Sequence, residues 1–550
     1  MPDATEPSDV ELTAAATSGG HAECLERLRQ AAHDAVGRAD ADTLALALAW
    51  VAVAEDFTTD TEAWWQLLDA AILTDNVVLR PMVAAADARL SARRPVGTTG
   101  PEFFGEPEGA APASLVSWTV EVGRSQTLAE EAAASSASAL ERVNALCAWR
   151  AVHRSPRALD GRLRVVDAVD REIGAARPRG LLRSLACDSR MWHLADALES
   201  GDRAAFEHTF RHVRADLRGG GLAHHRWWAA TVKVTANVLD GDLVAAQHAL
   251  DDSLRIGGDL AHPGALSVWL LQAWWLDDLA GRSTRTAELA RAHSSLLDHP
   301  LSTLPAGVAF ARIGDLDEAA RWARWVVRWM SVDGAEETSW LATITLGADL
   351  ATLLLRGGHE AGQQLAHSIL PAMQEWRALH AVDSRATLSL GPVARAEADV
   401  LLELGSTVEA ASAVAGAEQV VARLGHPPVA VAQVALSRAR LAVAENEDPS
   451  GWIQTAIEAT RRPGLDRLRG EAQQLALSTA RSNRSSAMGL TERERAVLSG
   501  ISEGLSNPEI AERLRYSVST IAKDTMHIYR KLGIRDRSEA MRASHTESSH

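Results

Sequence analysis

Apolar side chains recur every three to four residues along almost the whole chain of 550 residues. This spacing places them on one face of an α-helix, whereas alternation with a period of two is almost absent. The pattern therefore predicts an all-α protein. Because a single domain usually has about 100 to 200 residues, the length also predicts more than one folded unit.

A short breaker followed by an alanine-rich helix start recurs through much of the chain. The glycines that mark it lie 33 to 47 residues apart: Gly201, Gly241, Gly281, Gly314, Gly358 and Gly405. This period is typical of stacked helical pairs, because one pair cannot bury its apolar face alone. We therefore predict a tetratricopeptide-like helical-repeat solenoid over residues 11–480, with a long groove on its concave side.

Several segments lack this periodicity. The Pro- and Gly-rich stretch 95–114 predicts a loop, and the polar stretch 481–488 predicts a linker between domains. We expect residues 1–10 and 545–550 to be disordered, since both are polar chain ends. Residues 489–544 remain as a second domain.

Charge is distributed unevenly between these regions. The chain carries −16 at pH 7, but residues 488–544 contain ten basic and eight acidic side chains, which leaves −18 for the remainder. Only the C-terminal end suits a polyanion, because the acidic remainder repels phosphate groups. The start has no secretory signal, and the most apolar stretch, 44–54, is too short to span a membrane. We expect a cytoplasmic protein with no membrane contact.

The C-terminal segment divides into four short helices. Three helix starts carry a side-chain acceptor followed three residues later by a carboxylate: Thr491 with Glu494, Ser506 with Glu509, and Asp536 with Glu539. Gly504 and Gly533 mark chain reversals or helix ends. Ten apolar residues are spaced to form one small core: Val497, Leu498, Ile501, Leu505, Ile510, Ala511, Leu514, Ile521, Ile528 and Leu532.

The order of residues in this segment resembles the LuxR-type helix-turn-helix. The matching motifs are LTERERAVL at 490–498, GLSNPEIAERL at 504–514 and KLGI at 531–534, with Ser517, Thr520 and Ile521 between them. The resemblance covers about a tenth of the chain. It implies a domain that binds double-stranded DNA, with the helix 518–532 as the recognition helix in a major groove.

The resemblance also implies roles for single residues. Thr520 contacts the phosphate backbone, and three further positions face base edges: Ala522, Lys523 and Met526. Helical spacing places these three on the same face as Ser519 and Arg530. Backbone amides at the helix starts also point at phosphates. The predicted DNA-binding residues are Ser506, Asn507, Arg515, Tyr516, Ser517, Ser519, Thr520, Ala522, Lys523, Met526, Arg530 and Lys531.

Two positions depart from the family pattern, which usually has a lysine in place of Ala522 and a histidine in place of Asp524. Lys523 partly replaces that lysine, and an exposed Asp524 either accepts a hydrogen bond from cytosine or repels a phosphate. The alternative is that these positions have drifted while neighbouring basic residues maintain binding. These residues are Arg513, Arg515, Arg530, Lys531 and Arg537.

The last helix of the family often joins two copies of the domain. The corresponding residues here are 538–543, with Ala540 and Met541 as apolar contacts. The resemblance therefore implies a homodimer on an inverted-repeat site.

Motifs for nucleotide binding and catalysis are absent. The repeats resemble those of large LuxR-type regulators of the maltose-activator kind, which generally carry an ATPase module. The only lysines here are Lys233, Lys523 and Lys531, and none stands in a GxxxxGK[ST] motif. GxSxG, HExxH and CxxC motifs are also missing. We expect no cofactor and no enzymatic activity.

A tryptophan stripe is the main candidate for an effector site. Trp322, Trp325 and Trp329 fall on one helical face, with Arg321, Arg324 and Arg328 on the adjacent stripe. Such a surface suits a flat or anionic ligand or a peptide. The alternative is that the indoles form core between repeats and that the arginines are its solvated edge.

Histidines and cysteines are weaker candidates. His224 and His225 adjoin two tryptophans and suit either a ligand or a packed helix end. The three cysteines are widely spaced, which favours small buried residues in a reducing compartment: Cys24, Cys147 and Cys187.

These features predict a DNA-binding transcriptional regulator. The family habit favours an activator with RNA polymerase as a partner, and the repeats would receive an unidentified small-molecule or protein effector. The alternative is a protein-interaction scaffold whose degenerate helix-turn-helix no longer reads DNA.

Overall fold

The computed structural model describes most of the chain: residues 7–54, 66–67, 71, 80–91, 113–174, 178–218, 221–293, 300–331, 335–337, 339–487, 491–532, 534, 536–537 and 539. These residues are almost entirely helical, which confirms the predicted fold class, and one short β-hairpin is the exception. Among them, no helix combines the length and the apolar character that a membrane crossing requires.

The repeat region contains twenty-two helices within the described ranges. In chain order they are α1 Pro7–Thr17, α2 His21–Arg38, α3 Ala41–Ala54, α4 Arg80–Ser91, α5 Ala113–Ser135, α6 Ala139–Val152, α7 Leu159–Ile173, α8 Gly180–Ser200, α9 Arg203–Arg218, α10 Ala223–Leu239, α11 Leu243–Asp259, α12 Ala265–Leu279, α13 Ser283–Ala292, α14 Pro300–Arg312, α15 Leu316–Met330, α16 Trp340–Arg356, α17 Glu360–Glu375, α18 Val393–Glu403, α19 Thr407–Arg423, α20 Pro428–Ala444, α21 Ser450–Ala459 and α22 Asp466–Ala487. Three more form the C-terminal domain: α23 Glu492–Ser502, α24 Asn507–Leu514 and α25 Val518–Leu532.

The glycines that mark the repeat occupy identical turns between paired helices. All six have a positive φ, between 72° and 86°. In each turn the glycine N–H and the next N–H donate to carbonyls of the preceding helix, as Gly201 does to Leu198 and Asp202 does to Ala197. Because a Cβ disfavours this left-handed conformation, glycine is the residue that ends these helices most easily.

Within the repeat region each helix packs against the next helix in sequence, and several also pack against the next but one. For example, α14 contacts α15 and α16, and α16 contacts α17 and α18. The largest buried cluster extends from Val234 to Ala472, and separate clusters fill the preceding helices. This is the stacked arrangement that the glycine period predicts.

Turns near the middle of the repeat region also contact its last helices. Arg462 donates to the carbonyl of Asp240, and Arg467 Nε donates to that of Asp278 at 2.9 Å. Both carbonyls lie at the C-terminal ends of helices, where unpaired acceptors and the helix dipole favour a cation. These contacts bring together helices that lie about 200 residues apart in sequence.

A β-hairpin interrupts the helices. Its strands His380–Val382 and Ser389–Pro392 pair antiparallel. The connecting turn is organised by the buried carboxylate of Asp383, which accepts from the N–H and Oγ1 of Thr387 and from the N–H of Leu388, at 2.6 to 2.8 Å. Apolar burial and this local bonding hold a strand pair in an otherwise helical chain.

The hairpin occupies the interior of the array. Trp228 Nε1 donates to the carbonyl of Arg385 at 2.8 Å. Gln272 Nε2 donates to the carbonyls of Thr231 and Thr387, at 2.9 and 2.8 Å. Most residues of the hairpin are buried, so it is packed among the surrounding helices.

Two predicted boundaries also differ from the structure. The first helix begins at Pro7, so residues 7–10 are helical. The predicted linker 481–488 is helical as far as Ala487, because its sequence contains no proline or glycine that would end α22. Residues 95–112 of the predicted loop and the tail 545–550 lie outside the described residues.

Candidate nucleic-acid interface

The first helix of the C-terminal domain, α23, begins with the predicted capping pair. Thr491 Oγ1 accepts from the N–H of Glu494 at 3.2 Å, and Glu494 Oε2 accepts from the N–H of Thr491 at 2.7 Å. Each side chain thus satisfies a backbone group that the helix start leaves unpaired. The third predicted capping pair is also bonded, since Asp536 Oδ1 accepts from the N–H of Glu539 at 2.8 Å.

The turn between α23 and α24 is short and tightly packed. Gly504 has φ 83°, and the N–H of Leu505 donates to the carbonyl of Gly500 at 3.0 Å. A Cβ on Gly500 would lie 2.7 Å from Ile510 Cγ1, so the two helices touch where this side chain is missing. Glu509 Oε2 then accepts from Ser506 N and Oγ at 2.6 Å.

The next turn leads into α25, the predicted recognition helix. Arg515 adopts φ 55°, and the N–H of Tyr516 donates to the carbonyl of Ala511 at 2.9 Å. Ser517 Oγ accepts from the N–H of Thr520 at 3.1 Å and lies 2.7 Å from Thr520 Oγ1. The hydroxyls of Ser517 and Thr520 therefore cap this helix start while remaining on the domain surface.

One small core holds the three helices together. Six of its members are buried, and six more pack against them: Val497, Ile501, Ile510, Ala511, Ile521 and Ile528, then Leu498, Leu505, Leu514, Tyr529, Leu532 and Ile534. All ten residues in the predicted core belong to this set. The helical periods of the sequence therefore identify the inner face of each helix correctly.

The outer face of α25 is an exposed stripe of mixed chemistry. Ser519, Lys523, Met526 and Arg530 are exposed at helical spacing, and Ala522 is half-buried beside them. Met526 is 72% exposed, which is unusual for an apolar side chain in the middle of a helix. A thioether, an ammonium and a hydroxyl on one helix face can contact apolar and polar edges of base pairs.

Asp524 does not belong to this stripe. Its carboxylate is buried and accepts from Arg493 Nε at 2.8 Å and from the second guanidinium nitrogen at 3.0 Å. The expectation of an exposed Asp524 is wrong, because the residue follows Ile521 by three positions and shares its inner face. Asp524 therefore ties α25 to α23 from the inner face of the recognition helix.

Lys531 forms a second tie between the same helices. Its Nζ lies 2.5 Å from Glu494 Oε2, the carboxylate that caps α23. The hydrogen bonds from Lys531 and from the Thr491 backbone lower the pKa of Glu494 to about 2. Lys531 is among the predicted DNA contacts, and in this structure its ammonium binds an acidic group of the domain.

Three other predicted DNA-binding residues differ in exposure and in their contacts within the domain. Tyr516 is 47% exposed, and the Arg493 guanidinium lies 5.6 Å from its ring centroid. Asn507 is half-buried and accepts from Arg537 at 2.8 Å. Arg515 is exposed at the turn. The surface around the stripe thus combines exposed and internally bonded polar groups.

Arg493 is the residue that the sequence interpretation missed. It binds Asp524 and also covers the ring of Tyr516, so it links α23 to the recognition helix and to the preceding turn. The available signal was the unusual acid at position 524, since a buried acid requires a cationic partner. The residues predicted for dimerisation, 538–543, lie outside the described residues except for Glu539.

The predicted tryptophan groove is wrong for its three indoles. Trp322, Trp325 and Trp329 are at most 8% exposed and belong to the core between repeats. On the same helix, α15, Arg321 and Arg324 are exposed. Only the arginine edge is accessible, which is the alternative that helical spacing also allowed.

Comparisons with known proteins agree with the C-terminal domain. Residues 488–544 match the GerE family, described as "Bacterial regulatory proteins, luxR family". No curated protein matches the chain. A chain of the "Crystal structure of APC/C hetero-tetramer Cut9-Hcn1" is similar at 12% identity and a TM-score of 0.30, over 85% of this chain and 99% of that chain. A TM-score this low does not establish a shared fold, so the repeat architecture is described from the helices of this chain alone.

Proposed function

Residues 488–544 form a LuxR-family helix-turn-helix domain, and we propose that the protein uses it to bind double-stranded DNA and regulate transcription. The observation that carries this proposal is the exposed stripe on α25, held in place by a compact core and by two ion pairs to α23. A rigid helix with an exposed polar and apolar face suits a major groove.

Within this proposal, the residues of the stripe contact base edges. Lys523 carries the cation that donates to a guanine edge, and Met526 supplies an apolar surface for a thymine methyl group. Arg515 lies at the turn before the helix, where it can bind a phosphate. These assignments separate residues that select sequence from those that supply affinity.

We further propose that the repeats control the domain. A small molecule or protein would bind the repeat region and change DNA binding or contact with RNA polymerase, with activation as the outcome. The protein would act in the cytoplasm without catalysis of its own, as a homodimer on an inverted repeat. The buried interior of the repeats supports an effector site within a cavity more than an open groove.

The test begins with genome-wide footprinting of the full-length protein, followed by titration on a recovered site. Lys523→Ala should weaken binding by about 1 to 3 kcal/mol at both low and high salt, because it removes a hydrogen bond to a base. Lys233→Ala is the matched control, since Lys233 is exposed on a helix of the repeats. This control should bind like the unmodified protein.

Two outcomes would contradict the proposal. Absence of discrete footprints would favour the scaffold with a degenerate helix-turn-helix. Equal binding by Lys523→Ala and Lys233→Ala would show that α25 does not read bases in the predicted orientation.

A further inference from the structure

The three cysteines are all buried, but their thiols have different surroundings. Cys24 Sγ donates to the carbonyl of Ala16 at 3.1 Å, and Cys147 Sγ donates to that of Leu185 at 3.5 Å. Cys187 lies in the wall of a cavity of about 200 Å³, to which the other two cysteines do not belong. Cys187 is therefore the cysteine that a small molecule in this cavity would meet.

The cavity is bounded by α1, by the start of α8, by the end of α9 and by the start of α10. Its walls combine apolar surface from Pro178 and Leu217 with hydroxyl groups from Thr13, Thr17 and Ser184. A cavity of about 150 Å³ can hold a benzene ring, so this volume suits a molecule of similar or slightly larger size. The space is thus large enough for a small organic compound to reach the thiol.

An imidazole lies beside this thiol. His225 also lines the cavity, where it interacts with Cys187 and with Asp188. Its Nε2 lies 3.5 Å from Asp188 Oδ1, which is an ion-pair distance and longer than an ordinary hydrogen bond. Asp188 is held in turn by the buried guanidinium of Arg89, at 2.8 Å. A thiol, a base in contact with it and an acid that orients the base form an arrangement that activates a cysteine as a nucleophile.

The charges of this group distinguish Cys187 from its neighbour Cys147. Burial by itself lowers the pKa of His225, but the charge of Cys187 and interactions with Asp188 and Cys187 raise the pKa to about 10. Thiolate and imidazolium therefore stabilise each other at the cavity. At Cys147, burial and the charge of Asp188 both raise the pKa of the thiol, so that cysteine stays protonated and unreactive.

The guanidinium groups near the cavity are engaged within the protein. Arg183 donates to the main-chain carbonyl of Asp216 at 2.6 Å, and the Asp216 carboxylate is paired with Arg190 at 2.9 Å. The reactive chemistry that the cavity offers is therefore that of the thiol and the imidazole. These two groups suit a neutral compound with an electrophilic carbon.

We propose that Cys187 is a site of covalent modification by small, neutral α,β-unsaturated carbonyl compounds, with His225 as the base that activates the thiol. The thiol proton passes to His225, and the sulfur forms a bond to the β-carbon of the compound. The electron pair of the C=C bond moves towards the carbonyl group, and the α-carbon then takes a proton from the imidazolium. No group leaves and no oxidant is required. Use of this adduct as the effector signal rests on the proposed function.

Alkylation of the full-length protein by N-ethylmaleimide tests the proposal, because this reagent is a small, neutral α,β-unsaturated carbonyl compound. Peptide mass spectrometry measures the rate at each cysteine at about pH 6, where an ordinary thiol is almost entirely protonated. The rate at Cys187 should be at least about tenfold higher in the native protein than in the urea-unfolded chain, since His225 favours the thiolate. Cys24 and Cys147 should react more slowly in the native protein than in the unfolded chain.

A larger reagent with the same reactive group tests the role of the cavity. Pyrenyl maleimide carries a fused ring system that is too large for a cavity of about 200 Å³. For each reagent, the native rate at Cys187 is divided by the rate in the unfolded chain. This ratio should be at least about tenfold lower for pyrenyl maleimide than for N-ethylmaleimide, because only the smaller reagent fits beside the thiol.

Substitution of His225 tests its role as the base. His225→Gln should lower the N-ethylmaleimide rate at Cys187 at least about tenfold at about pH 6, and a rise to about pH 9 should restore most of it, because solvent then removes the thiol proton. His212→Gln makes the same substitution at an exposed position of α9 and should leave the rate within about twofold. Circular dichroism and thermal midpoints establish that both variants are folded.

The proposal is overturned if Cys187 reacts no faster in the native protein than in the unfolded chain, or if both maleimides give the same ratio. It is also overturned if folded His225→Gln reacts like the unmodified protein. If His225→Gln does not fold, the two comparisons on the unmodified protein decide. Each readout is a cysteine adduct formed without DNA, so failure of this site and failure of the proposed DNA-binding function are distinguishable.

Discussion

Charged residues on the recognition helix have two separate tasks. Lys523 and Arg530 are exposed on the outer stripe, whereas Asp524 and Lys531 form ion pairs with residues of α23. Adjacent residues on a helix point about 100° apart, so neighbouring charges can serve binding and packing independently. Replacing one of each kind therefore has different expected effects.

We predict that Asp524→Ala destabilises the C-terminal domain. The free energy of unfolding should fall by about 1 to 2 kcal/mol, since a bidentate bond to a charged group is lost while half-exposed Arg493 regains water. Thermal unfolding of a fragment containing residues 488–550 measures this change. Glu512→Ala removes the same charge from an exposed position and should leave the midpoint unchanged. A changed base preference with unchanged stability would contradict the inward position of Asp524.

Arg515 holds a left-handed backbone conformation that favours glycine. Arg515→Gly should raise the free energy of unfolding by roughly 0.5 to 1 kcal/mol, because it relieves contact between Cβ and the backbone. It should also weaken DNA binding and reduce the salt slope by about 0.9, because one phosphate contact is lost. Arg515→Asn should lose the same affinity. Unchanged affinity in both variants would remove Arg515 from the interface.

At the scale of elements, α23 and α25 depend on a shared carboxylate. Glu494 caps α23 and also binds Lys531 near the end of α25. The helix start and the interhelical contact are therefore maintained by the same ionised group. This arrangement couples the local stability of one helix to the position of the other.

The coupling predicts a specific dependence on acid. The pKa of Glu494 is lowered to about 2 by Lys531 and Thr491, from an ordinary value of 4.5. Stabilisation by this carboxylate is complete above about pH 4.5 and is lost as the pH falls towards about 2. Thermal midpoints of the C-terminal fragment should decrease over this range. Glu494→Gln should start lower and lose this part of the decrease; an unchanged profile would contradict the assignment.

At the scale of the whole molecule, the repeats form an array whose interior is occupied. The hairpin at 380–392 contacts Trp228 of a much earlier helix, and arginines of the last repeat helices bind carbonyls of turns near the middle of the repeat region. A change in one half can therefore alter the other half without passing along every repeat.

Gln272 tests that connection, because its amide donates to Thr231 on α10 and to Thr387 in the hairpin. Gln272→Ala should cost about 2 kcal/mol, since two buried carbonyls lose their donor. Hydrogen exchange should increase in peptides covering both 223–239 and 380–392. Gln247→Ala is a control on a neighbouring helix, with an exposed amide. Faster exchange confined to one segment would show that the halves are not coupled at this point.

The sequence by itself determined the features that depend on neighbouring residues or on helical period. The repeat glycines, the cap formed by Thr491 and Glu494, and the apolar core of the C-terminal domain all follow from these local rules. The same periods placed Met526 on the exposed face correctly. Local sequence suffices here because backbone conformation and side-chain direction within one helix are set over a few residues.

Only the tertiary structure decided which partners distant residues would find. Asp524 pairs with Arg493 across two helices, and the hairpin at 380–392 packs on Trp228 from a helix more than 150 residues earlier. The tryptophan stripe is core for the same reason, since another helix covers it. The physical reason is that burial and ion pairing depend on separation in space, which helical period does not specify.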